Sequence, residues 1–381
     1  MRKSIPVAFL IAILLVSFNT RTVVAETGSA PKASAAVSDP ALKTGWPAWR
    51  GDAQRSAATA EPLPDKLYLQ WETVYTPREP AWEDPLNRDL MHFDKVFEPV
   101  IYDGAVFLNF NDTDKIVALD SHTGEELWRF YTDGPVRMPG AAYNGKAYFT
   151  SDDGRLYCLD AETGQLAWEF DGAPVGRRLL GNERLISAWP ARTGVVIDDG
   201  VAYFASSIFS MMGVFIYALD AETGEMIWIN DREGSRWTSM PHGGSQSFGG
   251  ISPQGPLAVS GDTLLVAGGR SVPAAFDKHS GEFLYFHTQA YGQDGGSFLA
   301  AGEHYFLNHT REQNVAIYDI ENGRLDLPEV GRYPVIDSDM LFTSGATVSA
   351  YDMSSYQRED SQPWKDFRNS LLWEIRADAT G

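Results

Sequence analysis

The chain has 381 residues, 12% of them aromatic and 35 of them glycine, with 31 basic against 51 acidic side chains and a formal charge of −20. That balance argues against sequence-independent binding to nucleic acid, which needs a basic surface, and against anionic lipid, and it keeps a secreted surface well solvated. A single cysteine, Cys158, excludes an intrachain disulfide, so stability has to come from packing.

In chain order, Arg2 and Lys3, the apolar run Ile5–Phe18 and the Val23-Val24-Ala25 site predict a signal peptide over 1–25. The apolar run is short for a membrane span, and no cysteine near the cleavage site offers a lipid anchor; an uncleaved leader is the alternative. Residues 26–45, rich in Ala, Ser and Pro, read as a disordered linker. The expected location is periplasmic or secreted. After the opening WPAWRGD (46–52), a strand is expected around Leu67–Val74, carrying Trp71. The segment 75–97, with Trp82, Glu83, Asp84, His92 and Phe93, is longer than a hairpin needs and is expected to cover one end of the fold.

From there the sequence repeats. ALDSHTGEELW (118–128), CLDAETGQLAW (158–168) and ALDAETGEMIW (218–228) are near copies, with looser ones at 275–285, 317–327 and 350–360. Each follows a run of alternating apolar residues led by glycine, such as DGAVFLNF (103–110), NGKAYFTS (144–151) and DGVAYFAS (199–206), the pattern of a half-buried strand. In the repeated phrase Asp120, Asp160 and Asp220 are placed to accept N–H bonds across a tight turn, and Gly124, Gly164 and Gly224 to supply a positive φ. Trp128, Trp168 and Trp228 recur where a large apolar group wedges between neighbouring sheets. The recurring aspartates have a second reading as metal ligands, but turn geometry explains each copy. No such unit buries its own face, so the units stack, and radial stacking of four-stranded sheets gives an all-β propeller.

The Ala-x-Asp-x-x-Thr-Gly-x-x-x-Trp phrase, with the DG-led strand before it, resembles the tryptophan-docking repeat of pyrroloquinoline-quinone (PQQ) dehydrogenase-like propellers. The opening WPAWRGD resembles the first blade of many such repeat proteins. The resemblance covers roughly 46–375 and implies a propeller over 46–381. The family includes quinoprotein dehydrogenases and non-catalytic relatives such as the β-barrel-assembly lipoprotein of the bacterial outer membrane. Closing aromatics or their equivalents fall at Trp71, Trp128, Trp168, Trp228, Tyr285, near Leu325 and at Trp373, giving six full units after the opening strand. Seven or eight blades are expected, incomplete at the C-terminus, because eight residues after Trp373 do not make the strands a closing blade needs.

Ligands of propellers tend to sit at the mouth of the central channel. Aligning the repeats puts Arg137, Arg192, Asp294, Glu98 and Arg332 at that end. The arginines there would form a cationic focus for a carboxylate, phosphate or quinone carbonyl, or else would pair with Glu98 and Asp294 and tie blades together. Two long inter-blade segments, 171–194 and 235–255, lie beside this ring, and His242 and Ser247 in the second are candidate ligand contacts. No zinc-type histidine cluster, phosphate loop or nucleophile elbow is present, while Asn111 and Asn308 head glycosylation sequons.

The leading functional expectation is a non-catalytic binding or assembly platform outside the cytoplasm, with a protein partner, no nucleic acid, no cofactor, no catalytic residue and no metal site. The alternatives are a PQQ- and calcium-dependent oxidoreductase and the docking half of a longer protein. In the enzyme, the resemblance implies a quinone across the channel with calcium on a Glu, an Asn and a catalytic Asp; one cysteine rules out the adjacent-cysteine disulfide of the alcohol dehydrogenases.

Overall fold

The computed structural model describes residues 45–79, 94–181, 184–239, 244–268, 271–288, 294–310, 314–327, 330–354 and 370–376. The expected leader and linker lie outside these, apart from Gly45, which opens the first strand. Most of the expected cover segment, 80–93, lies outside them as well.

Six antiparallel sheets follow one another along the chain. Blade 1 is built from β1 (Gly45–Trp46), β2 (Val100–Tyr102), β3 (Ala105–Phe110), β4 (Lys115–Asp120) and β5 (Glu126–Tyr131). Blade 2 is built from β6 (Ala141–Tyr143), β7 (Lys146–Thr150), β8 (Arg155–Asp160) and β9 (Leu166–Asp171). A separate hairpin, β10 (Arg178–Gly181) with β11 (Arg184–Ser187), precedes blade 3: β12 (Val196–Asp198), β13 (Val201–Ser206), β14 (Phe215–Asp220) and β15 (Met226–Asn230). A second hairpin, β16 (Arg236–Ser239) with β17 (Gln246–Gly249), precedes blade 4: β18 (Leu257–Ser260), β19 (Thr263–Val266), β20 (Ala274–Asp277) and β21 (Phe283–Tyr285). Blade 5 has β22 (Asp294–Ala301), β23 (Tyr305–Thr310), β24 (Val315–Asp319) and β25 (Leu325–Leu327). Blade 6 has β26 (Arg332–Asp337), β27 (Met340–Ser344), β28 (Thr347–Asp352) and β29 (Leu371–Arg376).

The arrangement is radial. First strands of successive blades touch, β2 against β6, β6 against β12, β12 against β18 and β18 against β22. Burial falls outward, from wholly buried β3 to mostly exposed β5. Apolar clusters fill the gaps between consecutive blades, for instance Phe107 and Trp128 with Phe149, and Tyr203 and Trp228 with Phe276. The chain is therefore an all-β propeller of four-stranded blades, with six complete sheets among the described residues. The Leu67–Val74 run belongs to no sheet; it lies on blade 1, its Trp71, with the following Tyr75, packed against the cluster of Val106 and Phe110.

Local chemistry explains the regularity. In blades 1–3 the first hairpin turns on a residue pair with two positive φ values, Asp103-Gly104, Asn144-Gly145 and Asp199-Gly200, the twist that suits a two-residue β-hairpin. In the repeated phrase, Oδ1 of Asp120 accepts from the N–H groups of His122 (2.9 Å) and Thr123 (2.7 Å), and Asp220 does the same for Glu222 and Thr223. These bonds hold the Asp120 and Asp220 carboxyls below the usual range. The turn thus takes up the aspartates that had a second reading as metal ligands.

A β-bulge precedes each docking aromatic. Ala118 faces Trp128 while Leu119 faces Glu126, leaving Leu127 unpaired, and the same slip recurs at Ala167, Ile227, Leu284 and Leu372. A bulge re-aims the following side chain, and in blades 1–4 it turns the ring onto the turn of the next blade. In blade 5 the slip puts the docking position at Leu327, facing Ile317, two residues beyond the expected Leu325. Alternation alone does not reveal an extra residue.

A Cβ on Gly164 (φ 69°) would lie 2.5 Å from the Trp128 ring, whereas one on Gly145 (φ 76°) would meet nothing within 4 Å. Gly145→Ala therefore isolates backbone strain, about 1–2 kcal/mol, and Gly164→Ala should cost about 1–3 kcal/mol more through overpacking. Paired urea unfolding curves check this; equal losses would mean that the ring-on-turn contact is soft.

Candidate functional site

The centre of the ring is occupied by the chain itself. After β1 the residues Pro47–Ala57 cross the innermost strands and bond to them in turn. Pro47 O accepts from Ala142 N–H (2.7 Å), Ala53 O from Val259 (2.9 Å), Gln54 O from Ala301 (2.8 Å) and Ser56 O from Ile336 (2.8 Å). Blades 2, 4, 5 and 6 are reached in this way, and β1 pairs with β2 of blade 1. The expectation that WPAWRGD begins a blade is corrected: only Gly45 and Trp46 form a strand, and the rest is a coiled hub. Arg50, Gly51, Arg55 and Ala57 all have positive φ. Asp52 fastens the coil by accepting from the N–H of Ser56 (3.0 Å) and from its hydroxyl.

Arg55 is the key of the hub. Its side chain is 1% exposed and is held by carbonyls alone. Nε donates to Leu257 O (2.7 Å), Nη2 to Val195 O (3.2 Å), and Nη1 to Trp49 O (3.1 Å) and Asp52 O (3.2 Å). It thereby joins blade 4 to the approach of blade 3. Burial lowers its pKa to about 10, opposed by Asp52, so it stays charged at neutral pH. Beside it Arg50 lies over the Trp49 and Phe298 rings and donates to Arg55 O (2.8 Å) and Pro334 O.

The expected ring of axial charges divides into separate groups. Arg137 and Arg192 do come together, but on a carboxylate outside the expected set. Asp152, in the loop between β7 and β8, is fully buried; it accepts from Arg137 Nε (2.7 Å) and from Arg192 Nε and Nη2 (both 2.8 Å). Arg137 Nη1 continues to Asp94 (2.8 Å), which also accepts from Asn111 (3.1 Å). Burial pushes the Asp152 carboxyl up, but Arg192 and Arg137 outweigh it and hold it below its ordinary value. Arg137 and Arg192 thus pair with Asp152 and Asp94 rather than with Glu98, while the expected part of Asp294 falls on a side chain outside the described residues. Glu98 instead accepts from the Trp49 indole (2.8 Å), and burial raises its pKa against that bond and the charges of Arg78 and Arg50. Arg332, in blade 6, donates to Asn314 (3.2 Å). The backbone of Asp294 pairs with Thr310 at the start of β22; its side chain lies outside the described set, as does His242. Ser247 is half-buried on β17, opposite Thr238.

The two hairpins each carry a pair of exposed apolar side chains. Trp237 (60% exposed) and Phe248 (72%) face each other across β16 and β17 with ring centroids 5.0 Å apart. Leu180 and Leu185 form the matching exposed pair on β10 and β11. Asn111 and Asn308 are fully buried, so neither sequon is open to a glycan. The Cys158 thiol is buried and its pKa is pushed up to about 12 by that burial, which leaves it unreactive. Among the described residues no three His, Cys, Asp or Glu side chains gather as a metal site. The hub fills the axis and Asp152 is taken up by two guanidinium groups, so the described residues do not fit a quinone held on calcium there.

Sequence reasoning missed Arg55, Asp52 and Asp152. The stretch WPAWRGDAQRSA has no two-residue alternation, which was the signal that it is not a strand. Nothing comparable marks Asp152.

The family model described as outer membrane protein assembly factor BamB matches residues 35–325. The dehydrogenase subunit of the quinone alcohol dehydrogenase of Gluconobacter oxydans (strain 621H) is 36% identical over 145 residues, 34% of this chain but only 18% of that protein. Quinoprotein ethanol dehydrogenase of Pseudomonas putida is 26% identical over 161 residues, 39% of this chain and 25% of the relative. The chain therefore spans a small part of the curated relatives it matches. Among solved structures, BamB from Moraxella catarrhalis is 16% identical, covering 72% of this chain and 73% of that one with a TM-score of 0.45. Quinohemoprotein alcohol dehydrogenase from Comamonas testosteroni is 15% identical, covering 89% and 68% with a TM-score of 0.49. With a family match across most of its length and the repeated turn, bulge and docking ring in its blades, the chain belongs to the PQQ-like β-propeller repeat family.

Proposed function

We propose that this chain is a non-catalytic binding platform, periplasmic or secreted, that offers its two inter-blade hairpins to a protein partner. The observation that carries this reading is the occupied axis. A hub bonded to the inner strands and locked by a buried Arg55 leaves the central position rigid and filled. The apolar pairs Trp237/Phe248 and Leu180/Leu185 are the complementary support, since exposed apolar groups of this size on projecting hairpins suit protein contact. The matched family's description as an assembly factor agrees with such a role, and the leader expected from residues 1–25 agrees with export.

A second reading, a PQQ-dependent oxidoreductase, is favoured by the identity to quinone alcohol dehydrogenases. Titration of the purified chain with PQQ and calcium separates the two. The platform predicts no saturable quenching of tryptophan fluorescence up to about 100 µM quinone, and a calcium-independent Tm. Quenching that saturates at micromolar quinone, with a Tm raised several degrees by calcium, would replace the platform by the enzyme.

A further inference from the structure

The chain contains two Asn-Gly pairs, Asn144-Gly145 and Asn322-Gly323, and in both the glycine has a positive φ, 76° and 67°. Such a pair carries a reaction of its own. With no side chain on the second residue, the glycine nitrogen can reach the side-chain carbonyl carbon of the asparagine. A bond from that nitrogen to the carbon closes a five-membered succinimide as the carbon–nitrogen bond of the amide breaks and ammonia leaves. Water then opens the ring at either carbonyl, giving aspartate or an isoaspartate whose main chain runs through the β-carboxyl. Water is the only co-reactant, and nothing is oxidised or reduced.

The fold holds the two pairs in opposite ways. Around Asn322 the turn is closed. A Cβ on Gly323 would stand 2.5 Å from the Tyr285 ring and 3.1 Å from the His287 ring. The Gly323 N–H donates to Asp319 O (2.8 Å), Asn322 Oδ1 accepts from the Arg324 N–H (2.9 Å), and Asn322 O lies 2.7 Å from His287 Nε2. The attacking nitrogen and the target amide are both committed, under a ring that leaves no room to turn. Around Asn144 the turn is open. Its side chain is exposed, and a Cβ on Gly145 would meet nothing within 4 Å. The Gly145 N–H is held from another blade, donating to the hydroxyl of Tyr102 (2.9 Å), the buried last residue of β2.

We infer that Asn144 is a site of spontaneous deamidation in the folded protein, slowed by the Tyr102 hydroxyl, and that Asn322 is protected by the ring packed on its turn. The position gives the modification a consequence. Asn144 Nδ2 donates to Glu222 Oε2 in the repeated turn of blade 3 (3.3 Å), next to the ion pair of Lys146 with the same carboxylate, and Glu222 O accepts from the Trp168 indole (3.1 Å). Deamidation puts a carboxylate in place of a donor that faces Glu222. The isoaspartate product also lengthens a two-residue turn by one main-chain carbon, against the geometry that suits the hairpin. Both changes fall where blade 2 grips blade 3.

The test incubates the purified chain in warm, mildly alkaline buffer, its folding verified by circular dichroism, and follows the peptides holding Asn144 and Asn322 by mass spectrometry. Isoaspartate is read separately through its methylation by isoaspartyl methyltransferase. In urea both asparagines are expected to react at similar rates; in the folded chain Asn144 is expected to react and Asn322 to stay intact. Tyr102→Phe keeps the ring and removes the acceptor oxygen. It is expected to speed reaction at Asn144 by about two- to tenfold, the worth of one hydrogen bond expressed in a rate, and to leave Asn322 intact. Folded chain that reacts at Asn322 as fast as at Asn144, or at neither, would overturn the inference without recourse to a variant. An unchanged Asn144 rate in Tyr102→Phe, or a rise at both asparagines together, which would mark a general loosening of the fold, would overturn the part given to the hydroxyl.

Discussion

Arg55→Ala is expected to cost the fold about 3–5 kcal/mol, because several buried carbonyls lose their donor at about 1–3 kcal/mol each, and to lower the urea midpoint accordingly. The guanidinium group spans four carbonyls, those of Trp49, Asp52, Val195 and Leu257, on the hub and at two blades. At 1% exposure no water replaces it, so each carbonyl is left to bear its own desolvation. Arg55→Met keeps much of the volume and should recover the cavity term only. Arg55→Lys keeps the charge but presents one point where four directions are needed, and it should not restore the wild-type midpoint. Arg177→Ala, on an exposed side chain, should stay within about 0.5 kcal/mol. Hydrogen exchange gives the local check, with faster exchange at Val259 and Ala301, whose N–H groups bond the hub. A loss below about 1 kcal/mol would mean that the hub is a passive filler rather than the element that fastens blades 3 and 4.

What the sequence made legible was whatever repeats. The Asp120, Asp160 and Asp220 turns and the rings of Trp128, Trp168 and Trp228 could be placed because each copy restates one local solution, and a repeat of local contacts needs no knowledge of distant partners. The hub was not legible in this way. Its bonds join Ala53 to Val259 and Ser56 to Ile336, pairs separated by most of the chain, and its residues occur once. The candidate site was half legible for the same reason. Counting back from each glycine brought Arg137 and Arg192 to one end of the ring, and the structure does bring them together. Their partner Asp152 sits in an irregular loop to which a register count does not extend, and the nearer-seeming acids, Glu98 and Asp294, were assigned in its place. The bulge before each ring was also hidden, because an inserted residue such as Leu372, between Leu371 and Trp373, is apolar like its neighbours and nothing in the run marks it as extra.

The second large effect should come from Asp152→Asn. The carboxylate is wholly buried and accepts three charged N–H bonds, from Arg137 and Arg192, so blade 2 is tied through one side chain to the approaches on either side of it. An amide offers a single acceptor oxygen and turns an N–H₂ group toward a guanidinium; Arg192 loses its countercharge and Arg137 is left with Asp94 alone, and the expected loss is about 3 kcal/mol at neutral pH. The pH dependence tests the cause. Because the folded carboxyl is held below its unfolded value of about 4, its contribution is fully present above that pH and disappears as pH falls through the lower folded value. The turn aspartates, whose carboxyls are lowered too, act in the same direction in both proteins and cancel in the difference. Unfolding free energies of wild type and Asp152→Asn should therefore stand apart at pH 7 and converge as the pH is taken from about 5 toward 2. A gap that persisted unchanged into acid would mean that the variant fails through packing, and that the two arginines are held by their remaining contacts with Asp94 and the backbone rather than by the charge of Asp152.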